Sequence, residues 1–314
     1  MAISVTTLIL VGAPSSRAQT TSAQDFQAGR ILLQNTSTTS VGAPSYAGNP
    51  VLGPVLEYFD NWFVRVDRAQ AEQPHWITPL ITVTPRLEEE IRYDQSFQAM
   101  QHGANLTNYG SGKGVELIPW DTIEVILGIP NYESHEFPGK AGVANRGTDD
   151  FGDWTALIKY RILTANEENG NYILTAFMGF SAPTGTDHNS TGHGQFTPTI
   201  AFGKGWGDFD FQSTVGVTFP SGGLDRLGMP VAWNTAFQYH LYHYFWPEVE
   251  ANYTWFPDGE HTGKNQLYLT PGLILGRFPL FWRVRAVVGA GFQVAVTKYS
   301  GYHNAWVITA RLPF

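Results

Sequence analysis

Residues 304–314 alternate between two kinds of side chain. Trp306, Ile308, Ala310, Leu312 and Phe314 share one parity, and Ala305, Val307, Thr309 and Arg311 the other. Successive side chains of a strand point to opposite faces, so one face here is large and apolar while its reverse carries Thr and Arg. A strand in that position needs a neighbour for its backbone groups, and in a closed barrel the last strand pairs with the first. A greasy outside and a wet inside suit a wall with lipid on one side and water on the other.

The pattern recurs upstream. Ile81, Val83, Leu87, Ile91 and Tyr93 fall on one parity, against Thr82, Thr84, Arg86, Glu88, Glu90, Arg92 and Asp94 on the other, with Glu89 as the single breach. Strand-like runs follow at 113–129, 152–164, 171–181, 195–204, 208–219, 230–243, 248–256, 265–277 and 281–297, then the terminal run. That makes eleven with the first, and an even number is needed to return both termini to one side of a membrane. The expectation is therefore twelve, the missing strand lying in 51–66 or 95–109. The predicted fold is all-β: a transmembrane antiparallel up-and-down β-barrel behind a short, partly helical N-terminal segment. Counted back from the C-terminus, the connections at 167–170, 203–207 and 278–280 share one end and are short. Those at 130–150, 183–194, 220–228 and 258–264 share the other end and are longer and more polar, as in barrels of this kind. The stretch 101–112 fits this scheme only if the missing strand is close by.

Composition agrees. Charged residues are only 15%, against 33 Gly and 14% aromatics, which fits one large antiparallel β structure better than an α/β enzyme. Beyond the N-terminus nothing approaches the roughly 20 apolar residues of a spanning helix, so membrane spans must be strands. The absence of Cys excludes disulfides, thiolate zinc sites and thiol nucleophiles. A net charge of -8 without any Lys/Arg run argues against nucleic acid as a partner.

The N-terminal region divides in two. Residues 1–18 read as a secretory signal with small residues Ser16 and Ala18 before the cleavage point and no basic start, as expected if translation begins upstream; the alternative is an ordinary apolar strand or helix. Residues 19–74 form a flexible, partly helical segment, with a short helical island at 26–33. Within it Val55, Phe59, Trp62, Phe63 and Val66 recur at helical spacing, with Glu57, Asp60, Arg65 and Asp67 off that face. Such a helix either covers one barrel mouth or plugs the lumen. The barrel itself is expected over 75–314.

Charge concentrates on the lumen parity: Arg86, Glu88, Glu90 and Arg92, then Asp153, Lys159 and Arg161, then Glu248 and Glu250, then Arg283, Arg285 and Arg311. On the lipid face each Lys or Arg near mid-membrane would cost about 2 to 4 kcal/mol, so energetics place these side chains inside as a channel lining. Mixed signs imply cross-strand ion pairs, which would either shape a charged constriction or simply fill the lumen. On the opposite parity stand residues such as Trp154, Tyr160, Val249, Trp255, Val288 and Phe292, while Trp120, Trp206, Trp246, Trp282 and Trp306 sit where interface girdles belong. Enzyme signals are weak. Glu88 and Glu90 share a face, but flanking Arg86 and Arg92 favour ion pairing over acid/base work. His240 and His243 have opposite parity and cannot chelate one metal from a regular strand, and His188 with His193 forms only a weak loop candidate. The run Gly203-Lys204-Gly205-Trp206-Gly207 lacks the helix a phosphate loop needs. No catalytic, metal or cofactor-binding residue is assigned, and no cofactor is expected.

Several segments together resemble a known family. Thr84-Pro85-Arg86-Leu87-Glu88 with Arg92-Tyr93-Asp94, Val115-Glu116-Leu117-Ile118-Pro119 with Leu127-Gly128-Ile129-Pro130, Gly152-Asp153 with Lys159-Tyr160-Arg161, and Ala182-Pro183-Thr184-Gly185 carry the likeness over residues 76–314. They resemble the MetA-pathway-of-phenol-degradation family of outer-membrane transporters. That resemblance implies a Gram-negative outer-membrane barrel passing small hydrophobic or aromatic molecules. Its expected partners are outer-membrane lipid, a small-molecule solute, and the barrel-assembly machinery engaged through the strand ending at Phe314. The rival expectations are a barrel enzyme acting on lipid or lipopolysaccharide, and a structural or adhesive barrel.

Overall fold

The computed structural model describes residues 52–111, 113–138, 149–186 and 188–314. The expected leader at 1–18, the island at 26–33 and the rest of the lead-in to residue 51 lie outside the described residues, as do residues 139–148 of the long connection. Two compact units divide the chain, 1–57 and 58–314. Of the first only residues 52–57 are described, and they open helix α1 (Leu52–Asp60). In the second, helix α2 (Trp62–Ala71) leads through an irregular segment at 72–89 into the strands.

Twelve antiparallel strands close into a barrel. β1 is Glu90–Met100, and β2 combines Asn105–Gly110 with Gly114–Trp120. β3 combines Ile123–Gly128 with Tyr132–Glu136, and β4 Asp150–Phe151 with Trp154–Ala165. β5 (Tyr172–Ala182) and β6 (Gln195–Trp206) follow, then β7, from Phe209–Val217 and Phe219–Pro220. β8 (Val231–Tyr239), β9 (Phe245–Trp255), β10 (Asn265–Phe281), β11 (Val284–Ala295) and β12 (Tyr302–Pro313) complete the circle. The seam is the expected one: β12 pairs with β1 from Glu90↔Pro313 to Met100↔Tyr302. Along β12, Ala305, Val307, Thr309 and Arg311 are buried, whereas Trp306, Ile308 and Leu312 are exposed on the outer face.

The missing strand has a definite origin. The run read as one strand at 113–129 turns back at 121–122, so that Leu117 pairs with Val125 and Glu116 with Ile126, and its upstream arm continues into Asn105–Gly110. The run hides its reversal because a turn as short as Asp121-Thr122 leaves little polar punctuation between its two arms. At the same end, Gly207 takes φ +59 in the connection between β6 and β7, a conformation that suits glycine. The turn between β10 and β11 falls at Trp282-Arg283 and not at 278–280, because β10 continues to Phe281 through two register shifts. A shift between Arg161 and Leu163 in β4 likewise turns Ile162 and Leu163 both outward.

Residues 76–89 depart from the expectation. The alternation at 81–94 places the first strand there, yet the wall begins at Glu90 and 72–89 carries no strand. Almost every side chain from Trp76 to Glu89 is buried whatever its parity, Ile81 and Val83 being the half-buried exceptions. The segment lies inside the barrel, where both of its faces meet protein. The N-terminal helical reading holds in part. Val66 and Ala69 of α2 are buried against Leu87 and Ile118 with Trp62 beside them, whereas Val55 and Phe59 are exposed. Glu89, the breach in the alternation, is a buried anchor: it accepts from the Trp62 indole and from Ile118 N at 2.9 Å.

Candidate functional site

The lumen is the candidate site, and the irregular segment crosses it. Its neck is closed by Gln73, whose side-chain amide donates to Leu87 O at 2.7 Å and accepts from Leu87 N at 2.9 Å. Between these points the chain enters the barrel from the short-turn end and returns to β1. The Arg86 guanidinium donates to Trp76 O and, from Nε, to Pro74 O, tying the two arms together.

An irregular backbone inside a barrel has no ladder, so its polar groups need other partners. Wall side chains supply them. Arg311 donates to Thr78 O and Pro79 O at 2.5 and 2.7 Å, and Arg92 to Leu80 O at 2.7 Å. Glu248 accepts from Leu80 N at 3.1 Å, and the two oxygens of Glu250 accept from Ile81 N and Thr82 N at 2.7 and 2.6 Å. Gln212 of β7 donates to Ile77 O and accepts from Thr84 Oγ1, while Thr175 of β5 donates to Pro85 O at 2.6 Å. Lys159 of β4 donates to Arg86 O at 3.1 Å and stands 2.9 Å from Glu124, both side chains fully buried. Glycines in the wall make room for the segment. A Cβ on Gly272, Gly289 or Gly291 would come within 2.9 Å of Leu80, and one on Gly203 or Gly205 within 2.6 Å of Trp76.

Of the charged residues singled out in the sequence, Glu90, Arg92, Lys159, Arg161, Glu248, Glu250 and Arg311 are buried on the inner face of the wall. Arg86 and Glu88 are also buried inside, but on the crossing segment, where they pair at 2.6 Å. Three stand elsewhere. Asp153 sits at the long-loop end, accepting from Gly185 N and Thr191 N at 3.1 and 3.0 Å, and so holds the loop before β6. Arg283 lies in the turn after β10, where it binds Asp67 of α2 and covers the Phe63 ring. Arg285 is exposed at the short-turn mouth. Parity alone gave these positions an inward side chain, but all three fall where the wall ends. Trp246 is a further correction, since it is buried and stacked on His240 while Trp120, Trp206, Trp282 and Trp306 are exposed. Parity does not apply to His240 and His243 either: β8 stops at Tyr239, and both line the mouth. Among the described residues no group of His, Asp and Glu is arranged to hold a metal ion. Nothing in the spacing of Gln73, Gln212 and Thr175, all neutral polar residues, signals their roles.

Cavities flank the crossing segment. Towards the long loops, about 610 Å³ opens inside β1 to β6, lined by hydroxyl and amide side chains such as Ser96, Gln98, Asn108 and Thr155, with Lys113 and Glu133. Towards the short turns, about 380 Å³ lies between His75, Trp76 and the connections at 166–171, 207–208 and 240–244. There His75 clasps Glu167, its backbone N–H and ring Nδ1 lying 2.6 and 2.8 Å from the two carboxylate oxygens. Burial works to raise the Glu167 carboxyl, but these bonds bring it down to about 2.

No protein-family model and no curated protein matches the sequence. The fold does match solved structures. The crystal structure of the COG4313 outer membrane channel from Pseudomonas putida F1 superposes with a TM-score of 0.53 at 15% identity, covering 76% of this chain and 100% of that one. The NanC porin gives a TM-score of 0.44 at 12% identity, over 71% of this chain and 98% of that chain. The first likeness shows the fold, a closed antiparallel β-barrel.

Proposed function

We propose that the chain is a plugged channel of the Gram-negative outer membrane, passing small solutes by diffusion when residues 72–89 leave the lumen. The observation that carries this reading is the crossing segment itself. It separates two cavities inside one closed barrel and is held by side-chain hydrogen bonds from the wall, and not by a β ladder. The exposed apolar face supports a lipid-facing wall, with the short turns towards the periplasm and Phe314 presented to the assembly machinery. In this reading Glu90, Arg92, Lys159, Glu248, Glu250 and Arg311 line the conducting path. The resemblance to the MetA-pathway family points to hydrophobic or aromatic solutes. No catalytic role is assigned.

The chain lacks cysteine, which makes a lock simple to build. A Cβ on Gly272 would lie 2.5 Å from Leu80 Cδ1, so Leu80→Cys with Gly272→Cys places two thiols across the gap between plug and wall. Conductance of the oxidised double variant in planar bilayers should fall below that of the reduced form and return with reductant. Equal conductance in both redox states, with the disulfide verified, would sink the proposal.

A further inference from the structure

The short-turn cavity holds polar atoms that nothing yet described satisfies. Trp76 Nε1, Asn171 Oδ1 and Asp210 Oδ2 are buried and have no hydrogen-bond partner among the described residues, and all three residues line this one cavity. Their exposures are 4%, 6% and 1%. Two of the three side chains meet at Gly205, where a Cβ would lie 2.6 Å from Trp76 Nε1 and 2.2 Å from Asn171 Nδ2. Unpaired buried polar atoms destabilise a fold, so three around one space mark a place built for a ligand that completes them.

The chemistry of the wall narrows that ligand. Asp210 and Asn171 offer acceptors, with Asp210 Oδ1 already taken by Gln212 and Oδ2 free for a donor. Trp76 offers a donor. At the rim Arg285 is exposed and presents a guanidinium suited to a carboxylate. Arg277 lines the cavity too, but is engaged with His75 O and Trp76 O at 2.9 and 2.7 Å. His240 lies flat on Trp246, ring centroids 4.0 Å apart and 9° from parallel, giving a smooth wall for an apolar group.

We propose that this cavity binds a small zwitterion. Its ammonium group donates to Asp210 and Asn171, its carboxylate accepts from Arg285 and the Trp76 indole, and its side chain rests on the His240–Trp246 pair. The site stands whether or not the barrel conducts, because binding needs no passage.

The test uses the purified full chain in detergent, titrated with L-valine, isobutylamine or isovalerate, and followed by calorimetry. L-valine should bind saturably, with the amine and the carboxylate each weaker by about tenfold or more. Asp210→Asn should weaken L-valine by about tenfold, and so should Arg285→Gln, which alters an exposed side chain and leaves the fold alone. Absence of saturable binding would mean that the three atoms are merely hydrated and would overturn the assignment. Equal affinity for all three probes, or unchanged affinity in Arg285→Gln with the barrel folded, would overturn it as well.

Discussion

Glu250 offers a direct measure of how firmly the segment is held. Its two oxygens accept from Ile81 N and Thr82 N at 2.7 and 2.6 Å, and the residue is 0% exposed. A hydrogen bond to a charged group contributes about 1.5–3 kcal/mol, so Glu250→Ala removes about 3–6 kcal/mol of attraction between segment and wall. Two effects reduce that figure. Glu248 stands on the same face two residues away, so its like-charge pressure is relieved, and water entering the vacated space re-solvates the two N–H groups. The lower limit of about 3 kcal/mol is therefore the expected net effect, equivalent to a roughly hundredfold larger population with the segment displaced. A single thiol reads this out, since the chain has no other: Thr84, 1% exposed, becomes Cys in the parent and in the variant. Maleimide labelling through a rapid opening equilibrium scales with the open population. Labelling should be about a hundredfold faster in Glu250→Ala and about tenfold faster in Glu250→Gln, whose amide keeps one acceptor. Rates within about threefold of the parent, in a barrel of unchanged β content, would refute the view that this carboxylate holds the segment in place.

Other expectations follow from the same packing. Lys159→Met strands a fully buried Glu124 and should cost about 3–5 kcal/mol in urea unfolding, most of it recovered by adding Glu124→Gln. Leu80→Ala should cost about 2–5 kcal/mol and speed Thr84→Cys labelling. Gly272→Ala alone should destabilise, because its Cβ would lie 2.5 Å from Leu80, yet be tolerated beside Leu80→Ala; thermal melts of the three variants decide. Glu167 has a carboxyl lowered from 4.5 to about 2 in the folded chain, so the stability it lends is complete above the unfolded value and is lost as pH falls through about 2. Acid melts between those values should show that loss in the parent and not in Glu167→Gln.

The barrel wall was legible because a strand with lipid on one side and water on the other must alternate. Arg92, Lys159, Glu248 and Arg311 could be placed inside from parity alone, and the seam between β12 and β1 followed from the same pattern. Parity failed where the chain leaves the wall, at Asp153, Arg283 and His243, since a loop has no fixed faces. It also failed at 76–89, for a different reason. Inside the barrel, Leu87 packs against α2 while Thr84 on the other parity meets Gln212 of the wall and Glu88 meets Thr78 of the segment itself, so the run from 81 to 88 alternates roughly as a strand would. Alternation reports that two environments lie on opposite sides of a chain; it does not say whether one of them is lipid.

That ambiguity bears on how the lumen charges are understood. In the sequence they read as rows of mixed sign, to be explained by ion pairs across the wall. Lys159 does pair across strands with Glu124, but the rest sort differently: arginines face the carbonyls of 78–80, and glutamates face the N–H groups of 80–82. Donors meet acceptors along a backbone that has no ladder of its own, so the charge pattern on the wall is a complement to the segment it holds. In the proposed channel, the same groups take a second role once the segment leaves. Arg92 and Arg311 then face Glu248 and Glu250 across open water, and a solute entering that space meets cations on one side and anions on the other. On that reading, holding the plug and selecting the solute fall to one set of residues in two states, so a substitution that frees the plug should also alter what the opened lumen admits. Glu250→Ala and Arg311→Leu, each opening the path, should therefore differ in ion selectivity, with the first shifted towards anions and the second towards cations in reversal-potential measurements.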